Sequence, residues 1–211
     1  MYGLRVITEP SVEPLSTADV KQHLNLASAV TAHDTRIAAM ISAARKWCED
    51  YTNRSFITTT WELSMDRFPY QQLAMFLPRP PLQSVTFVKY IDLQGTEQTW
   101  ANTNYTVSTG REPGRIACNY QVIFPYSRYQ ADAIKVQYVA GYGDAAVNVP
   151  AGLKQAMLLL IGHWFEHRES VAQGVWNEVP MATQSLLESY KVGDEFTQYA
   201  FNWASTNWWL F

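Results

Sequence analysis

The sequence Asp34-Thr-Arg-Ile-Ala-Ala-Met-Ile-Ser-Ala-Ala-Arg-Lys-Trp-Cys-Glu-Asp-Tyr-Thr-Asn53 carries the clearest helical pattern of the chain. Its apolar residues recur every three or four positions: Ile37, Met40, Ile41, Ala44, Trp47, Cys48 and Tyr51. This spacing predicts an amphipathic helix that Asp34 caps and Asn53 ends. Upstream, Ser16-Thr-Ala-Asp19 has the form of a capping box and predicts a short helix to about Asn25.

The period of the pattern changes from Thr58 onward. Trp61, Leu63 and Met65 alternate with polar residues, which is typical of a strand with one solvated face. Further strands are predicted at residues 85–91, 97–100, 105–108, 115–119 and 134–138, with a hairpin turn at Gln94-Gly95. Residues 58–143 are therefore predicted to form a small antiparallel β subdomain.

Helical spacing returns after Pro150. Leu153, Met157 and Trp164 lie on one stripe of the predicted helix, and Leu158 and Phe165 lie on a second. A helix that is apolar on two sides is either deeply buried or shared with a neighbouring subunit. A fourth helix is predicted from about Pro180 to Lys191.

These elements predict an α+β fold. The helical core has about four helices and is formed by residues 1–57 and 144–192, with the β subdomain 58–143 inserted and an extended arm at 193–211. The arm is unusually aromatic and carries no charged side chain after Glu195. We expect it to dock on another protein through Phe196, Tyr199, Phe201, Trp203, Trp208, Trp209 and Phe211. The alternative is that the arm packs on its own core.

Composition narrows the class of protein. The 211 residues have a net charge of -3 with 16 basic and 19 acidic side chains, and none of the basic ones are clustered, which argues against a protein whose main task is to bind nucleic acid. The chain is only 17% charged and 14% aromatic, a balance that favours burial of surface in subunit contacts.

No apolar run reaches the length of a membrane span, and the first residues do not resemble a signal peptide. Cys48 and Cys118 match no metal or redox spacing and are expected to be buried thiols, so no cofactor is predicted.

Two motifs suggest chemistry. His163-Trp-Phe-Glu-His167 matches the H-x-x-E-H pattern of inverted zinc proteases, in which both histidines bind zinc and the glutamate activates water. The preferred interpretation is structural, because no third ligand is evident and histidine is favoured near a helix C-terminus.

Gly141-Tyr-Gly-Asp-Ala-Ala146 resembles a dinucleotide-binding turn, but residues 148–150 separate it from the helix, so we interpret it as a loop that needs positive φ angles.

Several segments taken together, in their order along the chain, resemble a known family. They are Tyr51-Thr-Asn-Arg54, Thr60-Trp-Glu-Leu63, Leu77-Pro-Arg-Pro-Pro-Leu-Gln-Ser-Val85, Glu112-Pro-Gly-Arg-Ile116, Val139-Ala-Gly-Tyr-Gly-Asp144, Pro150-Ala-Gly-Leu-Lys-Gln-Ala156 and His163-Trp-Phe-Glu-His-Arg-Glu169. From about residue 10 to 191 the chain is similar to the head–tail connector (adaptor) proteins of tailed bacteriophages. The family usually has Tyr and Asn where this chain has Phe165 and His167, which makes the zinc motif a product of the second change.

The resemblance implies a structural virion protein and no enzyme. It implies a homo-oligomeric ring beneath the portal, dodecameric if it matches a twelvefold portal, that extends the DNA channel and docks a stopper or other neck or tail protein. Genomic DNA would pass through the lumen without specific binding. The protein would reside in the virion neck and, before assembly, in the host cytoplasm, with no membrane contact. Packing of the ring's helical core is expected at Ile37, Ile41, Trp47, Leu153, Met157 and Trp164.

Two alternatives remain open at this point. A tail-completion or stopper protein would have similar size and composition. A small zinc hydrolase would use His163, Glu166 and His167. Stoichiometric zinc together with peptidase activity would favour the hydrolase, whereas a metal-free ring on the portal would favour the adaptor.

Overall fold

The computed structural model describes residues 2–69, 74–166 and 181–193. These residues form two compact units. The helical unit comprises Pro10–Ile57 and Tyr142–Lys191, and the β unit contains residues 2–9 and Thr58–Gly141. The predicted α+β fold class is confirmed.

The described residues of the helical unit form four helices. They are α1 (Thr17–His23), α2 (Asp34–Thr52), α3 (Ala151–Glu166) and α4 (Met181–Glu188). The capping box that begins α1 is formed, because the Ser16 hydroxyl accepts from the Asp19 amide at 3.1 Å while the Asp19 carboxylate accepts from the Ser16 amide at 2.9 Å. The carboxyl pKa of Asp19 is lowered, first by the side-chain and then by the backbone hydrogen bond with Ser16.

The two ends of α2 differ in how well the sequence predicts them. Asn53 ends the helix as expected, in the left-handed conformation with φ 55°. Asp34 is not the cap: His33 occupies that position and Asp34 is the first helical residue. There its carboxylate lies 2.6 Å from the ammonium group of Lys21, so α1 and α2 are joined by an ion pair at the positive end of the α2 dipole.

The core of the helical unit follows the predicted stripes. Its fully buried residues include Ile37, Ile41, Ala44 and Cys48 from α2 and Leu153, Ala156, Met157, Leu160 and Ile161 from α3. Burying a large aliphatic side chain stabilises a fold by roughly 1.5–3 kcal/mol, so this cluster dominates the stability of the unit. Burial raises the thiol pKa of Cys48 to about 12.

The β unit contains two antiparallel sheets. Its strands are β1 (Tyr2–Thr8), β2 (Thr59–Met65), β3 (Ala74–Phe76), β4 (Leu82–Ile91), β5 (Glu97–Thr99), β6 (Tyr105–Ser108), β7 (Arg115–Cys118) and β8 (Ile134–Ala140). The five-stranded sheet has the order β1-β2-β8-β4-β5, and the three-stranded sheet has the order β3-β7-β6. Six of these strands overlap the predicted ones, whereas β1 and β3 were not predicted.

Strand β1 corrects the assignment of residues 1–57 to the helical core. It pairs with β2 in the register Leu4↔Leu63, so residues 2–8 belong to the sheet. Its sequence lacks a clean alternation, because it is an edge strand with only Leu4 and Val6 half-buried. Arg5 also changes the face of β2 that was predicted to be solvated: its guanidinium lies 2.7 Å from the carboxylate of Glu62, which is buried.

A cluster of aromatic rings forms one part of the core of the β unit, beside its aliphatic side chains. Phe124 stacks on Phe68 with ring centroids 4.9 Å apart, and Trp100 lies 5.2 Å from Phe124 and 5.0 Å from Tyr105. The strand β8 is buried on one face as predicted, and burial raises the pKa of the Tyr138 phenol, whose hydroxyl donates to the Pro78 carbonyl at 2.9 Å. Cys118 is only half-buried, so the expectation of two buried thiols is wrong for this one.

None of the helices in the described ranges has the length and apolar character that a bilayer crossing requires.

Candidate assembly surfaces

The ring-packing residues predicted from the sequence divide into two groups. Ile37, Ile41, Leu153 and Met157 are buried inside the helical unit, whereas Trp47 and Trp164 pack against this core and are only half-buried. The first four therefore stabilise the subunit itself, and only the two tryptophans present surface that another subunit could cover. Their role in ring packing stays a prediction.

The second stripe of α3 is also partly exposed. Leu158, Leu159 and Phe165 are half-buried. Phe165 lies at the C-terminal end of α3, with its ring 5.7 Å from the ring of His33 in an edge-on arrangement and 5.6 Å from the guanidinium of Arg36. The second stripe is therefore not deeply buried, and its sharing with a neighbouring subunit stays a prediction.

Trp47 belongs to a small aromatic cluster at the C-terminal end of α2. Its indole stacks on Tyr51 at 5.3 Å between centroids. The Tyr51 hydroxyl donates to the carboxylate of Glu188 at 2.9 Å, and the Lys191 ammonium lies 5.1 Å from the Tyr51 ring. The hydrogen bond to Glu188 raises the phenol pKa of Tyr51. These contacts fix α4 against α2 and orient Trp47.

A buried ionic network supports the same helix from the inside. The guanidinium of Arg45 lies 2.8 Å from Glu13 and 2.9 Å from Glu49. The other carboxylate oxygen of Glu49 accepts from the Phe56 amide at 2.7 Å. Burial alone would lower the pKa of Arg45, but the two carboxylates outweigh it and the pKa is raised. The interpretation of Glu49 as a solvated acid was therefore wrong, although its neighbour Asp50 is exposed.

The zinc motif falls only partly within the described residues. His163 is half-buried and Glu166 is exposed, while His167 lies outside the described ranges. Across residues 2–69, 74–166 and 181–193, no group of three or more histidine, cysteine or acidic side chains is placed to hold a metal ion. The geometry of the described part gives no support to a metal centre.

The glycine motif is a structural turn. Gly141 and Gly143 have φ angles of 135° and 149°, as the sequence predicts, and a Cβ atom at Gly143 would overlap the side chain of Asn148. The Gly141 amide is used within the protein, since it donates to the Pro81 carbonyl at 2.9 Å. A short 3-10 turn at Ala146–Asn148 separates the glycines from α3. The arrangement does not direct these amides as a phosphate cradle at a helix N-terminus would.

Phe196, Tyr199, Phe201, Trp203, Trp208, Trp209 and Phe211 lie outside the described residues. Docking through these side chains stays a prediction.

Sequence reasoning missed one exposed surface. The connection between β7 and β8, residues 119–132, is named here the tyrosine loop. It exposes Tyr120, Ile123, Tyr126 and Tyr129 to 90%, 62%, 79% and 77%. Only the density of tyrosine between two strands could have indicated it, because no periodic pattern separates a buried ring such as Phe124 from an exposed one in an irregular segment.

Comparison with known proteins gives a family match that covers most of the chain. A family model described as HCP, head completion protein, matches residues 13–190. No curated protein matches the sequence significantly.

Solved structures with the same fold come from particles described as gene transfer agents (GTA). A chain in the neck of an empty GTA particle, computed with C6 symmetry, is 23% identical with a TM-score of 0.74, and the match covers 90% of this chain and 96% of that one. A chain in the virion of a native GTA particle is 22% identical with a TM-score of 0.72 and 90% and 95% coverage. A chain in the neck of a native GTA particle, computed with C12 symmetry, is 21% identical with a TM-score of 0.73 and 90% and 96% coverage. These matches show that the fold of both units occurs in such particles.

Proposed function

This chain belongs to the head completion protein family, and on that premise we propose that it is a structural, non-catalytic component of the virion neck, between the head and the tail. The observation that carries the proposal is the length of the family match, which runs from residue 13 to residue 190 and so includes parts of both units. The resemblance to head–tail connectors that the sequence suggested is confirmed at the level of the family.

The proposal includes a ring beneath the portal. The similar chains occur in necks computed with sixfold and twelvefold symmetry, and repeated copies around an axis form a closed ring through heterologous contacts. Half-buried Trp47, Trp164 and Phe165 supply apolar surface for such contacts in the helical unit. In this arrangement the ring extends the DNA channel and offers its far side to the next neck or tail protein.

A channel through which DNA slides must not hold phosphates tightly. Three of the cations of this chain, Lys21, Arg45 and Arg54, are buried within the helical unit, where they serve the fold. Lys21 and Arg45 are paired with carboxylates, and the Arg54 guanidinium donates to the Tyr190 carbonyl. Fewer basic groups therefore remain for a lumen wall, which we propose to be neutral or acidic. Duplex DNA binding at about 0.15 M salt is expected to be weaker than micromolar, and submicromolar affinity would contradict this part of the proposal.

The aromatic arm is proposed to attach the ring to the portal or to an adjacent subunit. Tryptophan and tyrosine are common interface anchors, and the arm lacks charge after Glu195. Deletion of residues 196–211 is expected to leave a folded protein that no longer stays on portal rings. A truncated protein that unfolds, or one that binds portals with full affinity, would contradict this attachment.

Electron microscopy of the purified protein mixed with portal rings tests the proposed function. We expect an additional ring on one face of the portal, present with the wild-type chain and absent without it. The double variant His163→Gln/His167→Gln serves as the control for the hydrolase alternative, because the proposal expects the same ring and unchanged metal content. One tightly held zinc per chain that is lost in this variant, together with a portal that stays bare, would overturn the proposal.

A further inference from the structure

The tyrosine loop is held in one conformation by contacts along its whole length. At its start, the Asn119 side chain accepts from the Thr106 hydroxyl at 2.7 Å and donates to the Thr103 carbonyl at 2.8 Å. At its end, the Asp132 amide donates to the carboxylate of Asp66 at 3.2 Å. The exposed tyrosines therefore project from an ordered backbone, which lowers the entropic cost of binding through them.

The middle of the loop is anchored to the five-stranded sheet. Phe124 packs against both Phe68 and Trp100, with centroid distances of 4.9 and 5.2 Å, and these two rings also contact each other at 6.1 Å. The Arg128 amide donates to the Ile91 carbonyl at 3.0 Å, at the end of β4. This bond places the loop beside the β4–β5 turn, whose Leu93 is also exposed. The loop and the turn thus lie together at the end of the sheet where β4 ends and β8 begins, and the loop continues to the end of β2, where the Asp132 amide donates to Asp66.

The chemistry of this surface fits a protein partner. Three exposed tyrosines bury roughly 400–600 Å² when covered, which is most of the about 800 Å² that one partner contributes to a standard interface. Tyrosine and arginine are enriched at such contacts, and the loop carries Arg128 while Arg67 lies 6.0 Å from the Tyr129 ring. Nucleic acid fits less well, because the exposed aliphatic side chains of Ile123 and Leu93 offer nothing to phosphates.

A second, different surface lies on strand β1, at the opposite end of the strands. Strand β1 is the first strand of the five-stranded sheet, and among the described residues no strand pairs with its outer side. Ile7 is 42% exposed there, and Glu9 follows as an exposed carboxylate of opposite sign to Arg128. The charge of Arg5 on this strand is compensated by Glu62. Thr8, between Ile7 and Glu9, pairs with Thr60 near the start of β2, whereas the tyrosine loop contacts Asp66 just after β2 ends. Six strand positions separate Thr60 from Asp66, a distance of roughly 20 Å.

We propose that the tyrosine loop of one copy packs against the outer edge of β1 in the next copy. A ring requires two different patches on opposite sides of each subunit, and the five-stranded sheet presents such a pair. The β1 edge gains backbone partners and an apolar cover, which removes the hazard of an open sheet edge. This inference rests on the proposed function, since it assigns one of the contacts by which the neck ring closes.

Site-directed cross-linking tests the contact. In a Cys118→Ser background, Ile7→Cys and Tyr126→Cys are combined in one full-length chain, which is allowed to assemble and is then oxidised with copper phenanthroline. We expect a ladder of covalent oligomers that reaches the size of the ring. The matched control replaces Tyr126→Cys by Val147→Cys, which is also exposed at 81% but lies in the helical unit, and it is expected to give no ladder. Equal ladders from both, or none from the test pair, would overturn the contact.

Assembly of charge variants separates this inference from the proposed function. Tyr120→Asp/Tyr126→Asp is expected to raise the protein concentration needed for rings at least tenfold, whereas Val147→Asp leaves it unchanged. Wild-type-like rings in the loop variant, or a cross-link from Ile7→Cys to a cysteine placed in the aromatic arm at Trp203→Cys, would overturn the inference while the neck function stands. A wild-type chain that forms no ring with or without portal would instead overturn the proposed function.

Discussion

The helical unit buries both members of an ion pair, Arg45 and Glu49, whereas the β unit buries a cluster of aromatic rings and pairs a buried carboxylate, Glu62, with the exposed Arg5. Arg45, Glu49 and Lys21 are all buried in the helical unit. In the β unit, the buried rings of Phe68, Trp100 and Phe124 pack together between the strands and the tyrosine loop. A buried ion pair is sensitive to the loss of one partner, because the remaining charge is left buried and unpaired, while the aromatic cluster holds an irregular loop in place through apolar contacts.

This difference suggests separate tasks for the two units. The helical unit has a continuous core with half-buried aromatics at its margins. Among the described residues of the β unit, no strand pairs with the outer side of β1, and an ordered loop carries highly exposed tyrosines. Exposed apolar residues on an ordered loop mark an interaction surface more clearly than half-buried residues at a core margin.

The largest expected effect is on the core of the helical unit. Ile41→Asp places a carboxylate without a partner among α2 and α3 side chains and is expected to lower the free energy of unfolding by more than about 4 kcal/mol. Ser42→Asp adds the same charge to the exposed face of α2 and is expected to change it by less than about 0.5 kcal/mol. Urea unfolding followed by circular dichroism measures both. A soluble, normally folded Ile41→Asp protein would show that the packing assignment is wrong.

The matching substitution in the β unit removes one ring of its aromatic cluster. Phe124→Ala is expected to cost about 3 kcal/mol and to speed hydrogen exchange throughout the tyrosine loop, because its anchor is removed. Tyr120→Ala removes an exposed ring from the same loop and is expected to have little effect on the dilute, unassembled chain. Loop exchange that stays as slow in Phe124→Ala as in the wild type would contradict an anchoring role.

The buried ion pairs of the helical unit provide the next test of how the two units differ. Glu49→Gln keeps an acceptor for the Phe56 amide but leaves Arg45 with one carboxylate fewer, and the expected loss is about 2–3 kcal/mol. Lys46→Gln, on the exposed side of α2, is the control. Urea unfolding at neutral pH compares the stability of the two variants. Equal unfolding midpoints would mean that the buried ion pairs do not contribute to the stability of the helical unit.

The smallest expected effect concerns the cap of α1. Ser16→Ala is expected to cost about 1 kcal/mol at neutral pH. Because the folded-state pKa of Asp19 lies below its ordinary value of 3.8, the stabilisation by this carboxylate is present above that value and is lost as the pH falls through the folded-state pKa. The difference between wild type and Ser16→Ala should therefore shrink in acid. A difference that is constant from neutral pH to below pH 3.8 would exclude a contribution from the Asp19 charge.

How far the sequence predicts the fold depends on the period of its pattern. The three- and four-residue spacing of α2 and the alternation of Ile134, Val136 and Tyr138 in β8 arise from burial on one face, so both elements were predicted. Strand β1 has no buried face and Ala74–Phe76 is too short for a period, so neither was predicted.

The exposure of residues at the candidate surfaces was also not predictable from a local sequence pattern. Trp47 and Trp164 are half-buried, whereas Ile41 is buried. This difference depends on neighbours that are distant in sequence. Glu49 looks like any surface acid until the fold brings Arg45 and Phe56 to its two oxygens. The exposure of Tyr126 and the burial of Phe124, two residues apart in an irregular loop, are set by one tertiary contact that no local pattern encodes.

The central claim is that this chain is a structural component that joins head and tail, and its removal from the particle is the most direct test. Particles produced without the gene for this chain are examined by electron microscopy, with the wild-type gene supplied in trans as the control. The account predicts heads without attached tails, and restoration of tailed particles by the wild-type chain but not by a chain lacking both the tyrosine loop side chains and residues 196–211. Normally tailed, infectious or transfer-competent particles that lack this chain would contradict it.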